Sequence, residues 1–141
     1  MSAFLDSSVL VAALSPDEVG HPACLELLLR EDNCVYSHAL LETFSTLTGG
    51  RLGVKVDADF AALMVSQTIL PKVSVIELNI GEIANALGTA RMRGVRGGGV
   101  YDYMHLVAAR KGNTTVLYTL NMADFQYLRR ADDPEIRHPN A

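Results

Sequence analysis

Two rhythms of apolar and polar positions alternate along this chain. Short, largely apolar runs recur at Ala3–Leu5, Cys34–Tyr36, Val73–Ile76 and Thr115–Tyr118. Each has the length and β-branched or aromatic content of a strand. Between them the apolar positions follow a helical period. Helices are expected over Pro22–Arg30, over His38–Thr48, from Asp57 or Asp59 to Leu70, from Asn79 to about Arg93, and over Val100–Lys111. The punctuation agrees. Ser37 is a good helix cap, and the pair Gly49–Gly50, then Pro71, then Gly112–Asn113 are stop signals. Asn79 followed by Glu82 has the form of a capping box. Behind it, Ile80, Ile83, Ala84 and Leu87 fall at i, i+3, i+4 and i+7. The first strand runs into a helix at Asp6, Ser7 and Ser8, and if either serine caps that helix Asp6 is free for other work. A last edge strand is expected around Ile136.

Strands that alternate with helices predict an α/β fold with a parallel sheet of four to five strands, covered on both faces. The length of 141 residues fits one domain, residues 1–141. A chain of this size holds a core without disulfides or metal staples. Cys24 and Cys34 form no Cys-x-x-Cys pair, which argues against a disulfide scaffold or a zinc ribbon. The longest charge-free runs, Phe60–Pro71 and Gly112–Ala123, hold twelve residues each. A membrane span needs about 18, so a soluble protein is expected. The apolar start has no basic leader and is interrupted by Asp6, which argues against a signal peptide and makes the cytoplasm the default location.

In open parallel sheets ligands bind beyond the carboxyl ends of the strands, so the residues there are the ones to weigh. Asp6 follows the first strand, and its plain reading is a cap. Glu42 lies on the helix after the second strand, opposite the stripe Leu40, Phe44 and Leu47 and in line with His38 and Ser45. A solvated face is its plain reading. Asp102 opens a helix that is apolar nearly all round, on the face of Leu106 and Ala109 rather than of Tyr103 and Arg110. A carboxylate there costs several kcal/mol unless it is paired or binds metal, which favours function over capping. Asn121 and Asp124 follow the fourth strand, where a turn or a cap is the plain reading. His38 and His105 share helical faces with Glu42 and Asp102, but the spacing of a zinc site is lacking, so secondary contact or packing is preferred. Arg91, Arg93 and Arg96 flank the glycine stretch Gly94–Gly99. They read either as a solvated hinge or as contacts to a phosphate backbone. Neither a P-loop nor a dinucleotide fingerprint is present.

Gathering these acids at one point is unfavourable without a cation. Two carboxylates about 4 Å apart repel by about 4 kcal/mol at an effective dielectric near 20. Mg²⁺ or Mn²⁺ removes that penalty, and either ion suits phosphodiester hydrolysis. The net charge of −4 counts at first against a nucleic-acid partner. Setting aside Asp6, Glu42, Asp102 and Asp124 leaves twelve of the 16 acids against twelve bases, so the remainder is neutral.

These segments resemble PIN-domain nucleases: Phe4-Leu-Asp6-Ser-Ser8-Val-Leu10, Ser37-His-Ala-Leu-Leu-Glu42, Val100-Tyr-Asp102-Tyr-Met-His-Leu, and Thr119-Leu-Asn121-Met-Ala-Asp124-Phe125. The acids are 36, 60 and 22 residues apart, and the resemblance spans the chain. In compactness it is most similar to the VapC toxins. That resemblance implies an α/β/α sandwich, a Mg²⁺-dependent endoribonuclease, an RNA substrate, a homodimer and inhibition by a cognate antitoxin. It places Asp6, Glu42 and Asp102 at the three acidic positions, with Ser8 and Thr119 as supporting hydroxyls. The family often has an aspartate where this chain has Asn121, which leaves the fourth ligand open between Asn121 and Asp124. Two other readings remain. One is a haloacid-dehalogenase-like phosphatase, which wants a second aspartate where Ser8 stands. The other is a degenerate PIN fold that only binds RNA or protein. The apolar stretch Phe60–Val65 with Ile69 and Leu70 predicts a dimer through helical surfaces and a second groove for the antitoxin.

Overall fold

The computed structural model describes residues 2–50 and 55–140; Met1 and Ala141, the ends of the expected domain, lie outside them. Five strands form one all-parallel sheet in the order β3-β2-β1-β4-β5. They are β1 (Ala3–Leu5), β2 (Asn33–Tyr36), β3 (Val73–Ile76), β4 (Val116–Tyr118) and β5 (Glu135–Arg137). The helices are α1 (Ser7–Leu14), α2 (His21–Leu28), α3 (Ser37–Thr48), α4 (Ala58–Met64), α5 (Ile80–Thr89), α6 (Gly99–Lys111) and α7 (Met122–Leu128).

Strand alternation splits the core into two layers. Leu5, Val35, Val116 and Tyr118 enter the layer covered by α1 to α4. Phe4, Tyr36, Leu117 and Ile136 enter the layer covered by α5 to α7. The result is an α/β/α sandwich. Phe4, Leu5 and Leu117 are fully buried, and truncating such a side chain costs about 2–5 kcal/mol.

Several local expectations are corrected. The N-cap of α1 is Asp6, not a serine: its Oδ1 accepts from the Val9 backbone N–H at 3.1 Å. Ser37 is the first residue inside α3, where Tyr36 holds the cap position without a side-chain bond. The single helix expected up to Leu70 is α4 followed by a π turn (Val65–Ile69) and a 3-10 turn (Leu70–Lys72). Pro71 lacks an N–H and its ring crowds the preceding turn, so a regular α-helix cannot run through it. The helix expected up to Arg93 tightens to a 3-10 turn over Ala90–Arg93. It closes at Gly94, whose φ of +71° suits glycine. A Cβ at Gly94 would also collide with the Tyr127 hydroxyl.

The capping box of α5 is formed as expected, Asn79 with Glu82 in both directions at 2.8 and 2.9 Å. Its apolar stripe, however, is divided: Ile83 packs against the core, while Ile80 is 85% exposed and Leu87 50%. Helix α6 is buried nearly all round, as its composition requires, and Tyr103 is buried with it rather than exposed. Helix α7 was not expected. Among the described residues no helix is long and apolar enough to cross a membrane.

Candidate active site

The chain leaves β1 in one direction along the sheet, toward β2 and β3, and returns on the other side as β4. The crevice at that switch, beyond the carboxyl ends of β1 and β4, is where such sheets bind ligands. Asp6 directly follows β1 and Thr119 directly follows β4. The Thr119 hydroxyl donates to Asp6 Oδ2 at 2.6 Å, and the Ser8 hydroxyl donates to Oδ1 at 2.6 Å. Both hydroxyls are themselves oriented, accepting from the backbone N–H groups of Asn121 (2.9 Å) and Leu120 (3.0 Å). Three of the roughly four acceptor positions of the Asp6 carboxylate are therefore filled, and one on Oδ2 remains. Burial raises the Asp6 carboxyl above its ordinary value, and His105, Ser8, Thr119 and the Val9 N–H oppose that shift without cancelling it.

Glu42 reaches the crevice from α3. His105, wholly buried on α6, donates from Nε2 to Glu42 Oε1 at 2.7 Å. His38 Nδ1 lies 3.3 Å from the same oxygen. Burial acts to raise Glu42, but the bond and charge of His105, then those of His38, outweigh it and the carboxyl is lowered. Glu42 is thus an anion whose Oε2 has no partner among the described residues. His105 is ringed edge-on by Phe4, Tyr36 and Phe125. Its buried Nδ1 has no partner among the described residues. The histidines are secondary contacts to a carboxylate.

Asp102 sits in the first turn of α6 and accepts no hydrogen bond among the described residues. Burial, opposed by His105 and reinforced by the charges of Asp6, Asp124 and Glu42, pushes its carboxyl from 3.8 up to about 6. It stands where two clefts meet. One, of about 460 Å³, is lined by Glu42, His38, Tyr101 and Asn121. The other, of about 340 Å³, is lined by Asp124, Arg96, Gly98 and Tyr127. Asp124 lies in the first turn of α7. Among the described residues no three His, Cys, Asp or Glu side chains close on one point as a metal cage.

The arginines separate. Arg96 is exposed at the cleft of Asp102 and Asp124. Arg91 is exposed and lines neither cleft. Arg93 is engaged inside the molecule: Nη1 donates to Asp133 Oδ2 at 3.3 Å, and its guanidinium lies 5.7 Å from the Tyr103 ring centre. Arg93 therefore cannot serve as a free phosphate contact. Tyr101 was missed as a cleft residue, although its place immediately before Asp102 at a helix start was a usable signal.

A family model for the PIN domain matches residues 3–130. VapC20 of Mycobacterium tuberculosis, named as a Sarcin-Ricin loop cleaving toxin, superposes with a TM-score of 0.68 at 21% identity, over 89% of this chain and 93% of that one. VapBC2 from Rickettsia felis, bound to a DNA fragment from its promoter, gives 0.65 at 18% identity over 98% of both chains. FitAcB from Neisseria gonorrhoeae gives 0.64 at 16% identity over 97% of both. At these identities the likeness is one of fold. No curated protein sequence matches the chain.

Proposed function

The chain belongs to the PIN-domain family, and on that premise we propose that it is a metal-dependent endoribonuclease, the VapC-type toxin of a toxin–antitoxin pair. The observation that carries the reading is Asp102. Its carboxyl is held near pH 6 beside three further acids with no cation of the chain bonded to it among the described residues. A fold retains such a cluster at a cost in stability, and the usual reason is chemistry.

The donors fit a hard cation. Asp6 offers one remaining acceptor position, Glu42 its Oε2, and Asp102 and Asp124 their carboxylates, all oxygen. Mg²⁺ keeps several waters and needs only a few direct carboxylates, so a set of acids that does not close into a cage suits it. When bound, Mg²⁺ or Mn²⁺ would supply a Lewis acid and a water of lowered pKa for phosphodiester hydrolysis. The chain's own residues supply the positioning. Ser8 and Thr119 fix Asp6, His105 fixes Glu42, and the first turn of α6 presents Asp102 between the two clefts. Asp124 is the stronger fourth donor, because a charged carboxylate holds a hard cation better than an amide. Asn121 orients water or an outer ligand. Arg96 meets the RNA phosphates. A haloacid-dehalogenase-like step is disfavoured, because the second position it needs is Ser8, already spent as a donor to Asp6.

Two apolar surfaces support two partners. The groove of Leu14, Leu47, Phe60 and Met64, rimmed by Asp17 and Glu18, suits an amphipathic, basic segment of an antitoxin. The exposed apolar residues of α5, Ile80 and Leu87, suit a second copy of the chain. The test of activity is RNA cleavage in Mg²⁺, in chelator, and by Asp102→Asn. Cleavage is expected in Mg²⁺ alone, lost in chelator and in the variant. Cleavage that persists in chelator overturns the reading. Light scattering tests the dimer, and a strict monomer at micromolar concentration contradicts it.

A further inference from the structure

One wall of the crevice carries a stack of three aromatic rings, of which His38 also touches a carboxylate, Glu42. The root of the stack is Tyr36, buried at the end of β2. The His38 ring lies 6.1 Å from it, tilted by 30°. Tyr101 lies 5.3 Å from His38 and is parallel to it within 9°. The ladder thus runs from the core to the surface, and its last rung is 52% exposed. Tyr101 lines the same cleft as Glu42 and Asp102. A surface tyrosine ordinarily loses rotamer freedom when a ligand immobilises it. Here His38 already holds one face of the ring, so the other face is preorganised.

We propose that the outer face of Tyr101 is a stacking shelf for one unpaired base of the RNA, seated next to the phosphate at the carboxylates. The assignment rests on the nuclease reading above and deepens it, because it names the side chain that seats a base beside the carboxylates. A base in a duplex has both faces covered by its neighbours, whereas loops and single strands offer a free face to an aromatic ring. A neutral π-face is also the part of a nucleotide that the surrounding acids do not repel. The same cleft presents Ser45, Thr46 and Asn121, whose hydroxyls and amide suit the polar edges of a base. An apolar peptide segment would leave those groups unpaired, which favours RNA over protein as the occupant.

The test measures binding of a ~10-nucleotide single-stranded RNA with a phosphorothioate backbone, as a free strand, as a duplex, and with one abasic position moved along it. The full chain is used in Mg²⁺. Tyr101→Ala is expected to bind the single strand about tenfold more weakly, within the range of one base–aromatic stack. Tyr101→Phe keeps the parent's affinity, and Tyr101→Leu, which keeps apolar bulk without the ring, is as weak as alanine. One abasic position costs the parent the same factor and costs Tyr101→Ala nothing further. Duplex binding does not change between variants. If the parent binds the strand and Tyr101→Ala or Tyr101→Leu binds it equally well, the shelf is overturned and the nuclease reading stands. If the parent binds no RNA, both fall.

Discussion

Asp133 is buried and Asp102 half-buried on the same side of the sheet, and their surroundings are opposite. The Asp133 side chain is 2% exposed and accepts from Arg110 at 2.7 Å, from Arg93 at 3.3 Å and from the Arg130 N–H at 2.9 Å. Its charge is answered from within the fold, and it ties the segment after α7 to α6. Asp102 faces Asp6, Asp124 and Glu42 and is pushed up to about 6. Burial of a charge is therefore not the mark of a functional site; burial without an internal partner is.

The largest expected effect is on the compensated side. Asp133→Ala strands the largely buried Arg93 guanidinium and the Arg130 N–H, and denaturant unfolding should show a loss of about 3 kcal/mol. A loss below about 1 kcal/mol, the size of a surface pair, would mean the arginines simply return to water. On the uncompensated side the sign reverses. Asp102→Asn removes a repelled charge, so the metal-free variant should melt above the parent at pH 7. The parent should gain about 2.7 kcal/mol from Mg²⁺ or Mn²⁺ at a hundredfold excess over its dissociation constant, and the variant should gain little.

The pH dependence sharpens the contrast. Asp102 has its carboxyl raised from 3.8 to about 6 in the folded state. Its contribution to stability is full below its ordinary value and is lost as pH rises through about 6. Metal-free parent should therefore lose stability between about pH 4 and 6 relative to Asp102→Asn, with the difference curve isolating this residue from the histidines. Metal binding should strengthen over the same window, since the ion displaces the proton. Parallel curves for parent and variant would refute the assignment. Smaller effects follow at the periphery. Asp124→Ala should weaken the metal response more than Asn121→Ala; the reverse order exchanges their roles. Arg96→Ala should flatten the salt dependence of RNA binding by about one ion. Arg93→Ala should leave that slope unchanged and lower stability instead.

The same contrast marks where the sequence was legible. Local chemistry could be read: the Asn79–Glu82 capping box, the strand runs, and the acids that follow the first, second and fourth strands. Asp6 is visible because it directly follows a strand, Glu42 because it lies opposite its helix's apolar stripe, and Asp102 because its helix is apolar nearly all round. The Arg93–Asp133 pair was not legible, because its members are forty residues apart and no periodicity links them. Arg93 was consequently grouped with Arg96, which serves a different surface. Helix α7 was missed because its seven residues are too few to show a helical period. The stripe on α5 has the correct helical period, but periodicity cannot tell which of its residues reach the core, as Ile83 does, and which stay exposed, as Ile80 does. The choice of Asp6 over Ser7 as a cap depends on Thr119, 113 residues away, which holds the carboxylate from its other side.

The most direct test of the central claim, that the uncompensated acids form a metal site, is a calorimetric titration of Mn²⁺ into parent and Asp102→Asn at pH 7.5. The parent should show saturable binding with proton release, and the variant should show none while keeping the parent's fold. Equal binding by the two, or no binding by the parent at millimolar Mn²⁺, would contradict it.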